Sequence, residues 1–593
     1  MPFICLGDRN YPGSDQGIHP EPASQRLQLG RWRIHYQAPT HVIQLEADRT
    51  TLILDGYLTG TRSSLDPAAL PLGSSPDQSR WILEMIGRHG LEALDQFQGC
   101  HVIALIDPAQ DQLTVARDLM GGRTAYWHHS EHGMIIASRS SEVAARLPAG
   151  PDPDPSFVAA CFASGHRYPI GASAFRNVHE LLPGETIVFG HGTPERTRTR
   201  LVLPSADSLS AQQANRTFLE KLDAATRACL PSDQDCAAMV SGGLDSGPAA
   251  VLADRALTKD GKYLKAVSWI LPGVPESDES KWIRILGEAL QAGVHEFDAS
   301  QLLPFSRIDD SLVCADYPIL NPFRTMIQRC YQWSAEQGCP VILNGNAGDS
   351  IYPPRHRLHV DTWRRLGTRV LAADLAWTIR HHGIGGLRRD PAFRGLLREL
   401  PGARALLRFI RQPDAQPFPW LTEYARQVLP ARPQWPPEAP PSRQPDYFHQ
   451  LFGPRMIFGR AQEQCFSNCY GVERRDPYHN EELARFMLTL PYRASHCRAT
   501  TKNIMRVAIR DLLPEPLRTK SRTGDLDSAF HSGLYTNRKA LADFLVRNNH
   551  WRAFVQKDHL DRALAQTRPD FQDQHIIAQC LGYSLWLKKL GLA

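Results

Sequence analysis

The order of strand-like and helix-like segments predicts an α/β protein in two parts: a β-rich region over residues 1–205, then a doubly wound parallel sheet with helical additions over residues 206–593. Two observations carry this. Short runs rich in β-branched residues, separated by Gly, Pro and Asp turns, fill the first part. In the second part strand, glycine turn and helix alternate, the pattern of parallel strands joined by crossover helices. A chain of 593 residues is long enough for two or three separate cores.

In chain order, TLILDGYL (51–58), HVIALID (101–107) and GMIIASR (133–139) are expected strands, and ELLPGETIVF (180–189) a hairpin turning at Pro183-Gly184. PAGPDPDP (148–155) interrupts the region near its end. CAAMV (236–240) is a short buried strand followed by a glycine-rich turn and a helix through 247–256. LKAVSWIL (264–271) is a strand, SDESKWIRILGEAL (277–290) a helix, VHEFD (294–298) a strand, and PVILNG (340–345) another buried strand. Residues 353–450 break the rhythm, with 16 Arg, no Lys and eight acidic residues, ending in a Pro-rich stretch. This is an insertion, either a solvated basic face with a flexible return linker or a cap that holds an extended substrate. The remainder is mainly helical.

Composition narrows the function classes. A net charge of +5 is too small to imply a nucleic-acid partner, and no apolar run is long enough to cross a bilayer. The opening MPFICLGDRN lacks the features of a secretory signal, so the expected location is the cytoplasm. Twelve cysteines without a CxxC pair point to reduced core thiols. Cys465 with Cys469, the histidines at 128, 129 and 132, and His356 with His359 each lack further ligands at fixed spacing, so no metal is expected there.

The strongest chemical signal is Ser241-Gly242-Gly243-Leu244-Asp245-Ser246, between an apolar strand and a helix. Two glycines let the backbone turn tightly and present its N–H groups, and the helix N-terminus adds partial positive charge, so the segment is an anion site. The hydroxyls of Ser241 and Ser246 can donate to phosphate oxygens. A carboxylate inside such a loop repels phosphate unless a divalent cation sits between, so Asp245 implies Mg²⁺. The spacing and lysine of a Walker loop are missing.

SGGLDS resembles the PP-loop of the ATP pyrophosphatases, which grips the pyrophosphate released when AMP is transferred to a carboxylate. Other stretches, in order, resemble the asparagine-synthetase family over nearly the whole chain apart from 353–450. LNGNAGDSIY (343–352) stands where that family has a strand and G-x-G-x-D-E. GVERRDPYHN (471–480) is similar to its G-[LV]-E-x-R-x-P-[FY]-x-[DN], and KNIMRVAIRDLLPEPL (502–517) to its K-x-x-[LM]-R-x-A-x-x-x-x-LP. FQGCHVIALID, ARDLMGGRTAYW and GMIIASRSSEVAAR resemble the class II glutamine amidotransferase domain. The resemblance implies an Ntn-hydrolase-like sandwich over 1–205, a PP-loop synthetase domain over 206–593, ATP and Mg²⁺ as cofactors, and AMP-forming carbon–nitrogen ligation. It implies that Asp245 and Asp349 bind Mg²⁺, that Gly345 lines the nucleotide site with residues 241–246, and that Val267 and Trp269 offer backbone to adenine. Arg475 and Lys502 match positively charged family positions, with pairing to acids such as Glu473 or Asp476 as the alternative role.

Departures from the pattern narrow the branch. The family's nucleophile is a cysteine directly after the initiator Met. This chain begins Met1-Pro2-Phe3-Ile4-Cys5, and Cys5 could serve only after loss of four residues. The family's glutamine-gripping N-G-E is replaced by Asp55-Gly56-Tyr57, although Arg117 and Asp118 are kept, so glutamine hydrolysis is expected to be absent. In Gly345-Asn346-Ala347-Gly348-Asp349-Ser350 both family glutamates are gone, and Asn346 replaces the one placed near incoming ammonia. Lys520-Ser521-Arg522 inverts the order of two basic residues, and either Lys520 or Arg522 is the cation expected to stabilise charge on the activated carboxylate. These departures resemble the lasso-peptide cyclases, with the β-lactam synthetases as second choice and a glutamine-dependent asparagine synthetase or a non-catalytic scaffold behind them. The partners implied by the resemblance are a precursor peptide, a leader peptidase and a small leader-binding protein.

Overall fold

The computed structural model describes residues 3–7, 25–29, 31–36, 40–44, 50–62, 70–71, 75–163, 167–190, 193–199, 209–308, 313–352, 358–399, 418–431, 454–490, 502–520 and 524–593. Strands β1 (Phe3–Gly7), β2 (Gln25–Leu29), β3 (Trp32–Tyr36), β4 (His41–Gln44), β5 (Thr51–Thr61), β6 (Phe97–Asp107), β7 (Gln112–Arg117), β8 (Tyr126–Ser130), β9 (Gly133–Ala137), β10 (His179–Glu180), β11 (Glu185–Phe189) and β12 (Glu195–Arg198) build two antiparallel sheets. Their orders are β10-β8-β9-β1-β3-β2 and β12-β11-β7-β6-β5-β4.

The pleat explains why β6 is apolar along most of its length. Val102, Ala104 and Ile106 point into the core between the sheets with Cys5, Trp32, Ile34 and Ile136. Ile103 and Leu105 point the other way, against Trp81, Ile82 and Met85 of the helix Ser75–His89. Alternation by two with both faces covered leaves no polar side to the strand.

One expected hairpin is corrected. β10 pairs with β8 in one sheet, while β11 pairs with β7 and β12 in the other. Pro183-Gly184 therefore carries the chain across the sandwich, and Gly184 takes a φ of 72° to do so. The turn residues were right, but a local turn cannot specify which sheet receives the next strand.

The second part has a five-stranded parallel sheet, β13 (Cys236–Met239), β14 (Leu264–Ile270), β15 (Val294–Asp298), β16 (Val341–Leu343) and β17 (Glu473–Arg475), in the order β15-β14-β13-β16-β17. The order reverses between β13 and β16. In open α/β sheets that switch point leaves a crevice beyond the strand carboxyl ends, where ligands bind.

Helices Asp527–Arg547, Lys557–Ala565 and Phe571–Lys589 form a further layer around Trp551, Leu581 and Trp586. Two segments from elsewhere join this core. The helix Pro155–Phe162, capped by Asp154, buries Phe157 and Phe162 in it. Trp420, Leu421 and Ala425, from within the insertion, also enter it, and Trp420 Nε1 donates to Phe162 O at 2.9 Å. The insertion is therefore only partly a surface addition. Its described part begins with helices Leu358–Leu366, Thr368–Arg389 and Pro391–Glu399, while the Pro-rich stretch falls outside the described residues. Among the described residues no helix is long and apolar enough to cross a membrane.

Candidate active site

Both loops with chemical signatures leave the sheet at the switch point, one after β13 and one after β16. Ser241-Ser246 is pinned by its own hydroxyls. Ser246 Oγ accepts from Ser241 N–H at 3.0 Å, and Ser241 Oγ accepts from Gly243 N–H at 3.2 Å. The helix Ser246–Lys259 then begins with its N-terminus at the crevice, favouring negative charge there. Gly345 and Gly348 permit the two loops to meet. A Cβ on Gly345 would lie 2.7 Å from Ser246 N, and one on Gly348 would lie 2.5 Å from Asp245 Cγ.

This approach brings Asp245 and Asp349 onto one cation. The Lys502 ammonium pairs with Asp245 Oδ2 and lies 2.6 Å from Asp349 Oδ1. Asp245 Oδ1 is buried and has no hydrogen-bond partner among the described residues. Burial raises the Asp245 carboxyl to about 6, against the opposing pull of Lys502. The donor set, two carboxylates with one oxygen unsatisfied and an ammonium bridging them, fits a divalent cation.

A cavity of about 380 Å³ opens in front of these groups. Of the residues singled out in the sequence, Ser241, Asp245, Ser246, Trp269, Gly345, Asn346 and Asp349 line it. Gly242, Gly243 and Leu244 do not line it. Leu244 is buried in the core beneath the loop. Val267 is turned away, with its side chain in the core under the sheet and its carbonyl accepting Val240 N–H at 3.0 Å. Ser268, its neighbour, lines the cavity instead. Lys520 donates to the carbonyl of Gly242 at 3.0 Å and pairs with Glu279, which faces the cavity. Arg522 lies outside the described residues.

The segment 471–480 supports these loops from behind. Asp476 Oδ2 accepts Ala347 N–H at 2.8 Å, and Tyr478 OH donates to the Asp245 carbonyl at 2.7 Å. Arg475 pairs with Glu473 at 2.7 Å.

Glu463 had no signal in the sequence. It sits on the helix Pro454–Asn468, accepts a hydrogen bond from Tyr331 OH at 2.5 Å, and reaches the cavity. Burial raises its carboxyl above the ordinary glutamate range. Only the fold brings it to Asp349, because 113 residues of chain separate them.

The segment Asp55-Gly56-Tyr57 lies at the junction between the two regions. Asp55 accepts from Ser138 Oγ at 2.7 Å and faces Arg123, which pairs with Glu473 of the synthetase sheet. Arg475 stacks on the Tyr57 ring at 4.3 Å. Cys5 is fully buried between the sheets, and burial pushes its thiol far above the usual range, which removes the thiolate a nucleophile needs.

The family described as asparagine synthase matches residues 217–588, and the glutamine amidotransferase domain matches residues 59–199. "Asparagine synthetase [glutamine-hydrolyzing] 3" of Bacillus subtilis (strain 168) is 22% identical over 298 residues, covering 46% of this chain and 47% of that protein. The chain thus spans about half the length of that curated relative. Two solved structures are similar over 46% of this chain and 68% of theirs: an allosteric regulatory enzyme of purine biosynthesis (12% identity, TM-score 0.20) and a glutamine phosphoribosylpyrophosphate amidotransferase from B. subtilis (13%, 0.19). Those TM-scores are too low to bear on the fold. The match over 217–588, which takes in the switch point and both of its loops, is what assigns the chain: it belongs to the asparagine synthase family.

Proposed function

We propose that the chain is an ATP-dependent, AMP-forming carbon–nitrogen ligase that joins an Asp or Glu side-chain carboxylate of a precursor peptide to the peptide's own N-terminal amine, closing a macrolactam as the lasso-peptide cyclases do. The observation that carries the ligase reading is the convergence of Asp245 and Asp349 on one cation at the mouth of the PP-loop. Mg²⁺ bound to these two carboxylates would supply the positive charge that lets a polyphosphate enter a site already holding two acids. The N–H groups of 241–246 and the helix behind them grip the departing pyrophosphate, and Lys520 adds a cation beside the loop carbonyl of Gly242.

Two observations support an amine other than ammonia. Cys5 is buried and protonated, and Asp55 and Tyr57 are committed to the domain junction. Asn346 at the cavity leaves room and no charge where the family places a glutamate. Glu463 then serves as proton acceptor for the attacking amine, since a carboxyl raised by burial is a better base near neutral pH. Holding both ends of one peptide turns ring closure into an intramolecular step. The arginine-rich insertion suits a carboxylate-bearing peptide. A leader peptidase and a leader-binding protein belong to the same proposal.

The test is incubation with ATP, Mg²⁺ and candidate precursor peptides, followed by mass spectrometry. A product lighter by one water, with one AMP per ring and no glutamate released from glutamine, is expected. Glutamine-dependent asparagine formation would overturn the peptide reading.

A further inference from the structure

Three thiols, one of them far from the other two in the chain, meet where the sandwich faces the synthetase region. Cys314 lies in the segment after the sheet strand β15, and Cys465 and Cys469 are one turn apart at the end of the helix Pro454–Asn468. One turn of helix offers two ligands at most, and the fold supplies the others. Ligand atoms of Cys314, Asp316 and Cys465 all lie within 4.8 Å of one another, the one such group among the described residues. The Cys314 thiol donates to Asp316 Oδ2 at 3.6 Å, and the Cys469 thiol donates to the backbone carbonyl of Cys465 at 3.2 Å. Cys469 is exposed and lines a small cavity of about 70 Å³ with Asp316, Cys465 and Arg139.

Charge and softness identify the ligand class. Three thiolates, those of Cys314, Cys465 and Cys469, and the Asp316 carboxylate carry four negative charges as ligands. Arg139 contributes one positive charge, its Nε 3.2 Å from Asp316 Oδ2 and its Nη2 3.9 Å from Cys465 Sγ. A divalent cation brings the set down to one net negative charge. Sulfur donors with one carboxylate select zinc over Mg²⁺ or Ca²⁺. Zinc–sulfur bonds of about 2.3 Å place tetrahedral sulfurs within the separation already present. The carboxylate is oriented as ligands in metal sites are: Asp316 Oδ1 accepts from Ser141 N–H at 2.9 Å and Ser141 Oγ at 2.7 Å.

We propose that Cys314, Asp316 and Cys465, with Cys469 as fourth ligand, bind one zinc ion at this seam. The ion braces rather than reacts. It ties the segment leading to Asn321 and Phe323 to the helix bearing Glu463, and all three of these residues line the nucleotide cavity. Arg139, reaching over from the sandwich, offsets one of the ligand charges.

The experiment uses the full chain, stripped with chelator under reducing conditions and titrated with Co²⁺ alone, then with Zn²⁺. One equivalent of Co²⁺ should give thiolate-to-cobalt charge-transfer absorption that zinc abolishes, and zinc should raise the unfolding temperature. Cobalt held by Asp245 and Asp349 has no sulfur ligand and gives no such band. C314S and C465S should each lose the band and weaken zinc binding at least about 100-fold. C469S, at the exposed rim, should keep a weaker band, and C339S should behave as the parent chain. Should C314S fail to fold, the parent chain's spectrum, its zinc-dependent melting and C469S still decide the matter. Substoichiometric uptake, a band unchanged in C465S, or Cys314 and Cys465 found joined as a disulfide would each overturn the proposal.

Discussion

Glu463 and Asp245 are both carboxyls raised by burial, yet they stand in different company. Asp245 has an ammonium against one oxygen and, among the described residues, no hydrogen-bond partner for the other, the state of a ligand awaiting a cation. Among the described residues Glu463 has the Tyr331 phenol as its donor and forms no ion pair, the state of a group that can take up a proton. Glu463→Gln removes that capacity with almost no change of shape. The variant should retain carboxylate-dependent pyrophosphate exchange while peptide ring closure falls by about 100-fold or more. Equal loss of both steps, measured by exchange and by mass spectrometry, would remove Glu463 from the amine half-reaction. Asp245 was legible from the glycine-rich turn between a strand and a helix, and Asp349 from the resemblance of LNGNAGDSIY to a family motif. Glu463 and Tyr331 were not, because their meeting depends on two helices packing across 132 residues.

At the scale of elements, β17 shows how a charged tripeptide becomes a strand. Glu473-Arg474-Arg475 has no apolar alternation to announce it, and it pairs with β16 because the edge of the sheet leaves that ladder open. Its charges are then absorbed at the seam, where Glu473 bridges Arg123 and Arg475, all nearly inaccessible to solvent. Breaking such a buried set from one side leaves uncompensated charge, which costs about 3–5 kcal/mol. Glu473→Gln should therefore lower the denaturation midpoint by a corresponding amount, and a shift within the error of the parent chain would mean the seam is solvated. The longer elements were readable, since β5, β6, β13 and β14 are apolar runs bounded by turns. The switch of sheets at Pro183-Gly184 was not, because turn chemistry is local and sheet assignment is not.

Across the whole molecule, the sandwich meets the parallel sheet where Arg123 lies between Asp55 and Glu473. His101 lies on β6 of that sandwich. It is buried, its Nδ1 has no hydrogen-bond partner among the described residues, and burial lowers its pKa from 6.5 to about 3. Above pH 6.5 the imidazole is neutral folded and unfolded. Below it the unfolded chain takes up a proton that the folded chain refuses, so stability falls as pH drops from 6.5 towards 3. At pH 5.5 the loss attributable to His101 is about 1.4 kcal/mol. His101→Leu should flatten the melting temperature over pH 7.5 to 5.5 relative to the parent, and equal slopes would contradict the assignment. The fold class was legible from the change from antiparallel-strand to strand–helix periodicity, whereas the helix Pro155–Phe162 and Trp420 joining the C-terminal core were not, because each leaves its own region to bury its aromatic rings. The account as a whole depends on Asp245 and Asp349 acting together at the switch point. Carboxylate-dependent exchange of labelled pyrophosphate into ATP measures that directly: the parent chain should exchange, and Asp245→Ala and Asp349→Ala should each fall by about 1,000-fold or more, roughly 4 kcal/mol. Exchange undiminished in either variant, or ADP in place of AMP as the product, would contradict it.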